Sequence, residues 1–346
     1  MPQKFPNDEA LDLFLSEPYP ETVEMMKRLP GDIMILGVGG KMGPTLALQA
    51  KRAIDAAGVS KKVIGVARFS DPQQKYKLDS HGIETISCDL MYLDKVEALP
   101  KVDNLIFMAG RKFGSPGSEA LTWMMNAIAP YHVARSFKGK NMVAFSTGCV
   151  YSLVSPNSGG SRETDVPLPL GEYANSCLGR ERIFDYFSEN YGTRTLHYRL
   201  NYSIELRYGV LVDIAVKVFH NQPVDLGVSY VNGIWQGDAC NRALLCLEHT
   251  ASPANIMNIT GPELLSIKEL ALQFGSIFQK EVTFTGQDTE TYYLSNSDKS
   301  NKLFGNPRIS PDEMVKWIAE WIQTGGSILG KPTHFEVTDG QFLDGK

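Results

Sequence analysis

Up to about residue 203, short apolar runs alternate with amphipathic stretches. Runs at 33–37, 62–67, 83–87, 103–108, 141–147 and 193–200 read as strands, and stretches near 42–57, 119–137 and 174–190 as helices. Strand, helix, strand in repetition implies a parallel sheet covered on both faces, a doubly wound α/β fold. Beyond residue 203 the rhythm loosens. Segments 212–219, 238–248, 267–278 and 311–324 still read as helices, with short strands at 255–259 and 281–285, and together they predict a smaller mixed α/β lobe against the carboxyl edge of the sheet. Ahead of the sheet, Leu11, Leu13, Phe14 and Leu15, then Val23, Met25 and Met26, interrupted by Pro18 and Pro20, read as two short helices packed on the outside.

The expected organisation is a helical extension over 1–30, a sheet domain over 31–205 with 232–250 packed on it, a substrate lobe from 206–231 and 251–330, and a tail over 331–346. The last dozen residues, with Gly340 and Gly345, are expected to fray. A formal charge of −5 with scattered Lys and Arg leaves no footprint for nucleic acid or an anionic membrane, so small molecules are the expected partners. Five cysteines (Cys88, Cys149, Cys177, Cys240, Cys246) show no CxxC spacing, and no two histidines lie within helical reach of each other. Neither a disulfide framework nor a metal site is expected. The first residues lack a leader pattern and no apolar run is long enough to span a bilayer, so a cytoplasmic location is expected. Met124 and Met125 beside Trp123 read as core filling, and Trp317 with Trp321 as a packing ridge.

The chemistry starts at Ile33-Met-Ile-Leu-Gly37-Val-Gly39-Gly40-Lys41-Met42-Gly43-Pro44. Its glycines fall where a strand must turn sharply, admit a diphosphate against its backbone and let the next helix pack closely. Freed amides and the positive end of the helix dipole then face the phosphates. The next strand ends at Ala67-Arg68, where a carboxylate would favour a free ribose 2′-hydroxyl. Arg68, helped by Lys41, favours a 2′-phosphate instead, so NADP is expected and NAD is the alternative.

These motifs and those that follow resemble the extended short-chain dehydrogenases/reductases of the NAD-dependent epimerase/dehydratase type over roughly residues 31–325. Gly37, Gly40 and Gly43 resemble the family's GxxGxxG turn, Asp89-Leu90 its adenine contact, Ala109-Gly110 its small-residue turn and Asn126 its helix asparagine. The resemblance implies a Rossmann domain, with Gly39, Lys41, Met42, Arg111, Ser146 and Leu200 also beside the cofactor. Phe145-Ser146-Thr147-Gly148-Cys149-Val150-Tyr151 is similar to the SSxxVYG signature and puts Thr147 at the catalytic serine position, with Gly148 and Cys149 beside the substrate. Tyr198-Arg199-Leu200-Asn201 resembles the strand end carrying a substrate-touching amide, here Asn201, although the Arg-to-Asn spacing is shortened.

Tyr173-Ala-Asn-Ser-Cys177 has the spacing of the YxxxK helix, with Cys177 where the lysine belongs. A residue four on from Tyr173 shares its face, where an ammonium would lower the phenol pKa. Without it Tyr173 is a slow base unless another cation, Arg111 or Lys112 or the oxidised nicotinamide, takes over. Cys177 then reads as an inert thiol in a protein that only binds cofactor, as a neighbour of a Tyr173 that works as an acid, or as a specialised thiol. The resemblance implies an oxidoreductase or epimerase acting on a sugar, sugar acid or nucleotide sugar, with Tyr173, Thr147 and Cys177 at the reacting centre. The rival is a non-catalytic NAD(P)-binding regulator or scaffold. Helices near 119–137 and 174–190 form the dimer bundle in the resembling family, so a homodimer is expected.

Overall fold

A computed structural model describing residues 5–112, 117–331 and 333–341 shows the six expected strands side by side, the inner ones buried on both faces and Glu84–Ser87 half-exposed at the sheet edge. They are β1 (Ile33–Leu36), β2 (Val63–Ala67), β3 (Glu84–Ser87), β4 (Asn104–Phe107), β5 (Asn141–Thr147) and β6 (Arg194–Leu200). A seventh, β7 (Asn255–Ile259), pairs in parallel with β6, Asn255 opposite Leu196 and Ile259 opposite Leu200. The sheet order is β7-β6-β5-β4-β1-β2-β3, every pair parallel. Assigning 255–259 to the second lobe is therefore corrected. Met257 and Ile259 are fully buried and complete the main sheet after a long excursion of the chain.

Helices cover both faces. Pro20–Arg28, Gly43–Ala57 and Gln236–Leu245 pack on one face, around Ile33, Ile35, Val143 and Met257. The segments carrying Val133, Ala134, Phe184 and Phe187 pack on the other, around Met34, Leu36, Leu105 and Phe107. The helix expected over 119–137 contains one π-helical turn, Met124–Ile128. The helix expected from 174 begins at Gly171 and runs to Tyr191, so Tyr173 lies in its first turn. Pro72–Ser80 and Leu93–Glu97 are further helices with too weak an apolar pattern to be read in advance.

The smaller lobe packs Val210–Phe219, Ile267–Phe278 and Pro311–Gln323 together with two-stranded ribbons. Only Phe284–Thr285 of the strand expected at 281–285 is extended. Trp317 sits in an aromatic cluster with Trp235, Phe14 and Phe5 at 5.5 to 5.7 Å. The N-terminal helices do more than coat the surface. Leu11 and Leu15 belong to the lobe core, and Met25 and Met26 to the sheet core. Of the tail expected to fray, 342–346 with Gly345 lies outside the described residues. No helix among the described residues is long and apolar enough to cross a membrane.

Candidate functional site

Strand order reverses between β4 and β1, and ligands of open α/β sheets bind outside the carboxyl ends at such a point. A cleft of about 490 Å³ opens there. It is lined by Gly37, Gly39 and Gly40 from the first turn, Arg68 after β2, Asp89 and Leu90 after β3, and Ala109 and Gly110 after β4.

Two of the turn glycines have a steric reason. Gly37 has φ +94°, and a Cβ there would stand 2.5 Å from the Ala109 nitrogen; one at Gly43 would stand 2.1 Å from the Val38 carbonyl oxygen. Gly39 and Gly40 are exposed at the cleft, leaving the backbone open to a close-approaching group. The helix Gly43–Ala57 starts immediately behind, with Pro44 in its first turn, which suits an anion at its N-terminus. A dinucleotide diphosphate therefore fits these residues.

Phe69, Ser70, Asp71, Gln74 and Met125 also line the cleft, and motif reading did not find them. Asp71 caps the helix Pro72–Ser80, and from that helix Gln74 Nε2 donates to the Gly39 carbonyl (3.1 Å). The Asp71-Pro72 pair was the available signal, since a capping residue before proline marks a helix start. Met125 faces the cleft and Met124 is 41 % exposed, so reading this pair as core filling is corrected.

Other expected cofactor residues lie around this cleft rather than in its wall. Lys41 places its ammonium 3.3 Å over the Tyr208 ring, and burial, with repulsion from Lys112 and Lys331, pushes it down to about 7. Met42 packs on the sheet core, as does Leu200. Asn126, carried on the π-helical turn, clamps the turn after β4. It accepts from the Arg111 amide (2.8 Å) and donates to the Arg111 carbonyl (2.8 Å) and Ser176 Oγ (2.9 Å). Ser146 points away from the cleft and donates to Glu181 Oε1 (2.5 Å).

Glu181 and Arg199 form a buried bidentate pair (2.9 and 2.6 Å). Arg199 also donates to the Tyr151 hydroxyl (2.6 Å), which donates to Asn258 Oδ1 (2.8 Å). Burial alone would raise the Glu181 carboxyl, but the Arg199 hydrogen bonds, with the His197 and Arg199 charges and Ser146, bring it below its usual value. This network ties β6, β7 and the long helix together.

Thr147, Tyr173 and Cys177 come together at the end of β5. Tyr173 packs against Cys177 and lies near enough to Thr147 for that hydroxyl to bear on its protonation. Burial, then Cys177 and Cys149, pushes the phenol well above its ordinary value, against a downward pull from Arg180 and Thr147. Burial also pushes the Cys177 thiol up to about 11. At neutral pH it is a protonated thiol, which counts against a thiolate role.

Two cations flank the pair. Lys112 sits 6.0 Å from the Tyr173 ring centre, its ammonium pushed down by burial. Arg180, seven residues on from Tyr173 and so on the same helix face, donates to the Phe145 carbonyl (2.8 Å) and Asn126 Oδ1 (2.9 Å). Its position on that face was readable; its burial was not.

Gly148 and Cys149 are buried beside this couple. Cys149 clusters with Ala174 and Tyr293, and the Tyr293 hydroxyl is buried with no hydrogen-bond partner. Asn201 is committed elsewhere, its amide donating to Asn232 Oδ1 (2.7 Å) and the Tyr293 carbonyl (3.0 Å). It holds the Tyr293 segment in place. All five cysteines are buried and unpaired, and among the described residues no cluster of His, Cys, Asp and Glu could hold a metal ion.

The parallel sheet and the cleft at its switch point define a doubly wound, Rossmann-like α/β protein. Residues 33–202 match the NAD dependent epimerase/dehydratase family. Similar solved structures include the UDP-glucose 4-epimerase of Thermotoga maritima with UDP-glucose (16 % identity, TM-score 0.68) and that of Thermus thermophilus with NAD (17 %, 0.69). The UDP-glucuronic acid 4-epimerase of Bacillus cereus with UDP-glucuronic acid and NAD is also similar (19 %, 0.70). In each case 85 % of this chain and 99 % of the other are covered. No curated protein sequence matches the chain.

Proposed function

We propose that the chain is an NAD(P)-dependent oxidoreductase or epimerase acting at a hydroxyl or carbonyl carbon of a sugar, sugar acid or nucleotide sugar. The nearness of the Thr147 hydroxyl to the buried Tyr173 phenol, in a protein with a glycine-lined cleft, carries this reading. The family match and the nucleotide-sugar epimerases of like fold support the substrate class.

A nicotinamide dinucleotide bound in the cleft would supply or accept hydride at the reacting carbon. Gly37, Gly39 and Gly40 cradle its diphosphate, with Gly43 holding the helix close behind. Asp89 and Leu90 border the adenine, and Ala109 and Gly110 lie along the inner half. Exposed Arg68 and Ser70 favour a 2′-phosphate, hence NADP, while the Asp71 carboxylate is occupied in capping its helix (Gln73 N to Oδ1, 2.9 Å).

Thr147 orients the reacting oxygen, and Gly148 and Cys149 wall the substrate. Tyr173 keeps its proton at neutral pH because burial opposes phenolate formation, so it serves best as the acid that protonates a carbonyl oxygen. That role does not need the ammonium that Cys177 replaces. Leu121, Trp123, Met124, Ile128 and Tyr131 on one helix, with Tyr186 and Tyr191 on the long helix, are exposed; a face of this kind supports a homodimer.

The test is turnover of UDP-glucose, UDP-galactose and a keto-sugar panel by purified protein, followed by proton NMR, with mass spectrometry of co-purifying dinucleotide. Tyr173→Phe should lower turnover by about 10² to 10⁴ while leaving dinucleotide affinity within about twofold. A Tyr173→Phe protein as active as its parent would overturn this reading. The second reading, a binding protein without catalysis, is favoured by one observation, Cys177 at the lysine position. It gains if dinucleotide binds and no panel member turns over.

A further inference from the structure

Thr333–Gln341, its later part expected to fray, is held at both ends near the Tyr173 centre. On the lobe side, the Thr333 amide and hydroxyl both donate to Asp213 Oδ2 (2.8 and 2.6 Å), and Glu336 pairs with Lys217 (2.8 Å). Both partners lie on the helix Val210–Phe219. Phe335 between them is 2 % exposed and belongs to the lobe core. On the sheet side, the backbone of Gly340 lies against the start of the long helix. A Cβ on Gly340 would stand 2.5 Å from the Leu170 carbonyl oxygen, and one on Gly171 2.5 Å from the Gly340 carbonyl oxygen. Midway, Val337 packs on the cluster of Cys149, Ala174 and Tyr293, alongside Tyr173.

Ordering a chain end costs conformational entropy at every residue, so it stays down only where contacts repeatedly offset that loss. Here the contacts are unequal. The lobe end has a buried ring, two hydrogen bonds to a carboxylate and an ion pair. The sheet end is held by backbone packing at Gly340 and the half-buried Val337. The first is built as a hinge and the second as a latch.

Accepting Thr147 and Tyr173 as the reacting couple, we propose that Thr333–Gln341 is a gate. It swings about Thr333–Glu336, lifts Val337 off the Cys149–Ala174–Tyr293 cluster to admit a nucleotide-sugar-sized substrate, and closes by seating Gly340 against Leu170. The buried Tyr293 hydroxyl is then a polar group that the closed gate keeps from water until a hydroxylated ligand enters.

The test uses the full chain and N-ethylmaleimide, with labelling of each cysteine read by peptide mass spectrometry. Gly340→Val, whose side chain collides with Leu170, should speed Cys149 labelling by about tenfold, while Cys240 and Cys246, deep in the sheet layer, stay as slow as in the parent. Unchanged Cys149 labelling overturns the gate. If all three thiols accelerate, the variant has unfolded. Glu336→Ala, at a partly exposed ion pair, then decides by the same criterion: faster Cys149 alone supports the gate, and no change overturns it. Labelling needs neither cofactor nor substrate, so its failure leaves the Tyr173 assignment standing, and failure of the Tyr173→Phe test leaves the labelling result standing.

Discussion

Around the first strand–helix turn the site is made of backbone and small residues, drawn from the ends of neighbouring strands: Gly37 to Gly43, Arg68, Asp89, Ala109. Around Tyr173 it is made of side chains brought from distant parts of the chain: Thr147 and Cys149, Cys177 and Arg180, Tyr293, Val337. The cleft half is open and has to accommodate a rigid, invariant group. The Tyr173 half is buried, and its protonation states follow from what surrounds it. The contrast teaches that one half depends on what each residue is too small to obstruct, and the other on what each residue excludes from water.

The sharpest way to break this contrast is Gly43→Val. A side chain there meets the Val38 backbone at 2.1 Å, and neither the strand nor the helix can yield. Calorimetry should find dinucleotide binding lost, and urea unfolding should show a loss of about 3 kcal/mol or more. Binding retained at parental strength would mean that the turn is less constrained than its geometry requires.

Glu181→Gln probes the other half. Removing one charge from a buried pair leaves Arg199 uncompensated, and denaturant unfolding should register about 3–5 kcal/mol. The sign with pH is fixed: a carboxyl whose folded pKa is depressed contributes stability above its unfolded pKa and loses it as pH falls through the folded one. The variant should lack that acid limb. Dinucleotide affinity should barely change, because neither member of the pair lines the cleft.

Arg68→Ala is the smallest expected effect and the one that sharpens the cofactor assignment. Loss of a charge-assisted hydrogen bond at an exposed site should weaken NADP by about 1.5–3 kcal/mol and leave NAD unaffected, as measured by titration of each. Equal losses for both would assign Arg68 to the shared diphosphate.

How much was legible follows the same division. The strands and the glycine turn could be read because burial on both faces demands unbroken apolar runs and a tight turn demands glycine, both local requirements. Asn255–Ile259 was misplaced because nothing in a five-residue apolar segment says which sheet it joins across more than fifty intervening residues. Cys177 could be read as a substitution, but its consequence depends on Arg180, Lys112 and the depth of burial, which no spacing encodes. Ser146 and Asn201 fell on matching motif positions, yet their hydrogen bonds run to Glu181, Asn232 and Tyr293. Val337 gave no signal at all, since a lone valine among polar residues near a terminus has no period.

The N-terminal helices carry a consequence for how the molecule can move. Tyr19 and Thr22 hydrogen-bond to Asp238 and Asn241 on the sheet side, Glu21 pairs with Arg308, and Asp12 pairs with Arg207 of the lobe. Laced across the rear in this way, the two bodies have little freedom to rotate apart, and the jaw-like opening common to two-lobed proteins is restrained. Opening at the opposite side would then involve a few residues rather than whole halves, as in the gate proposed above.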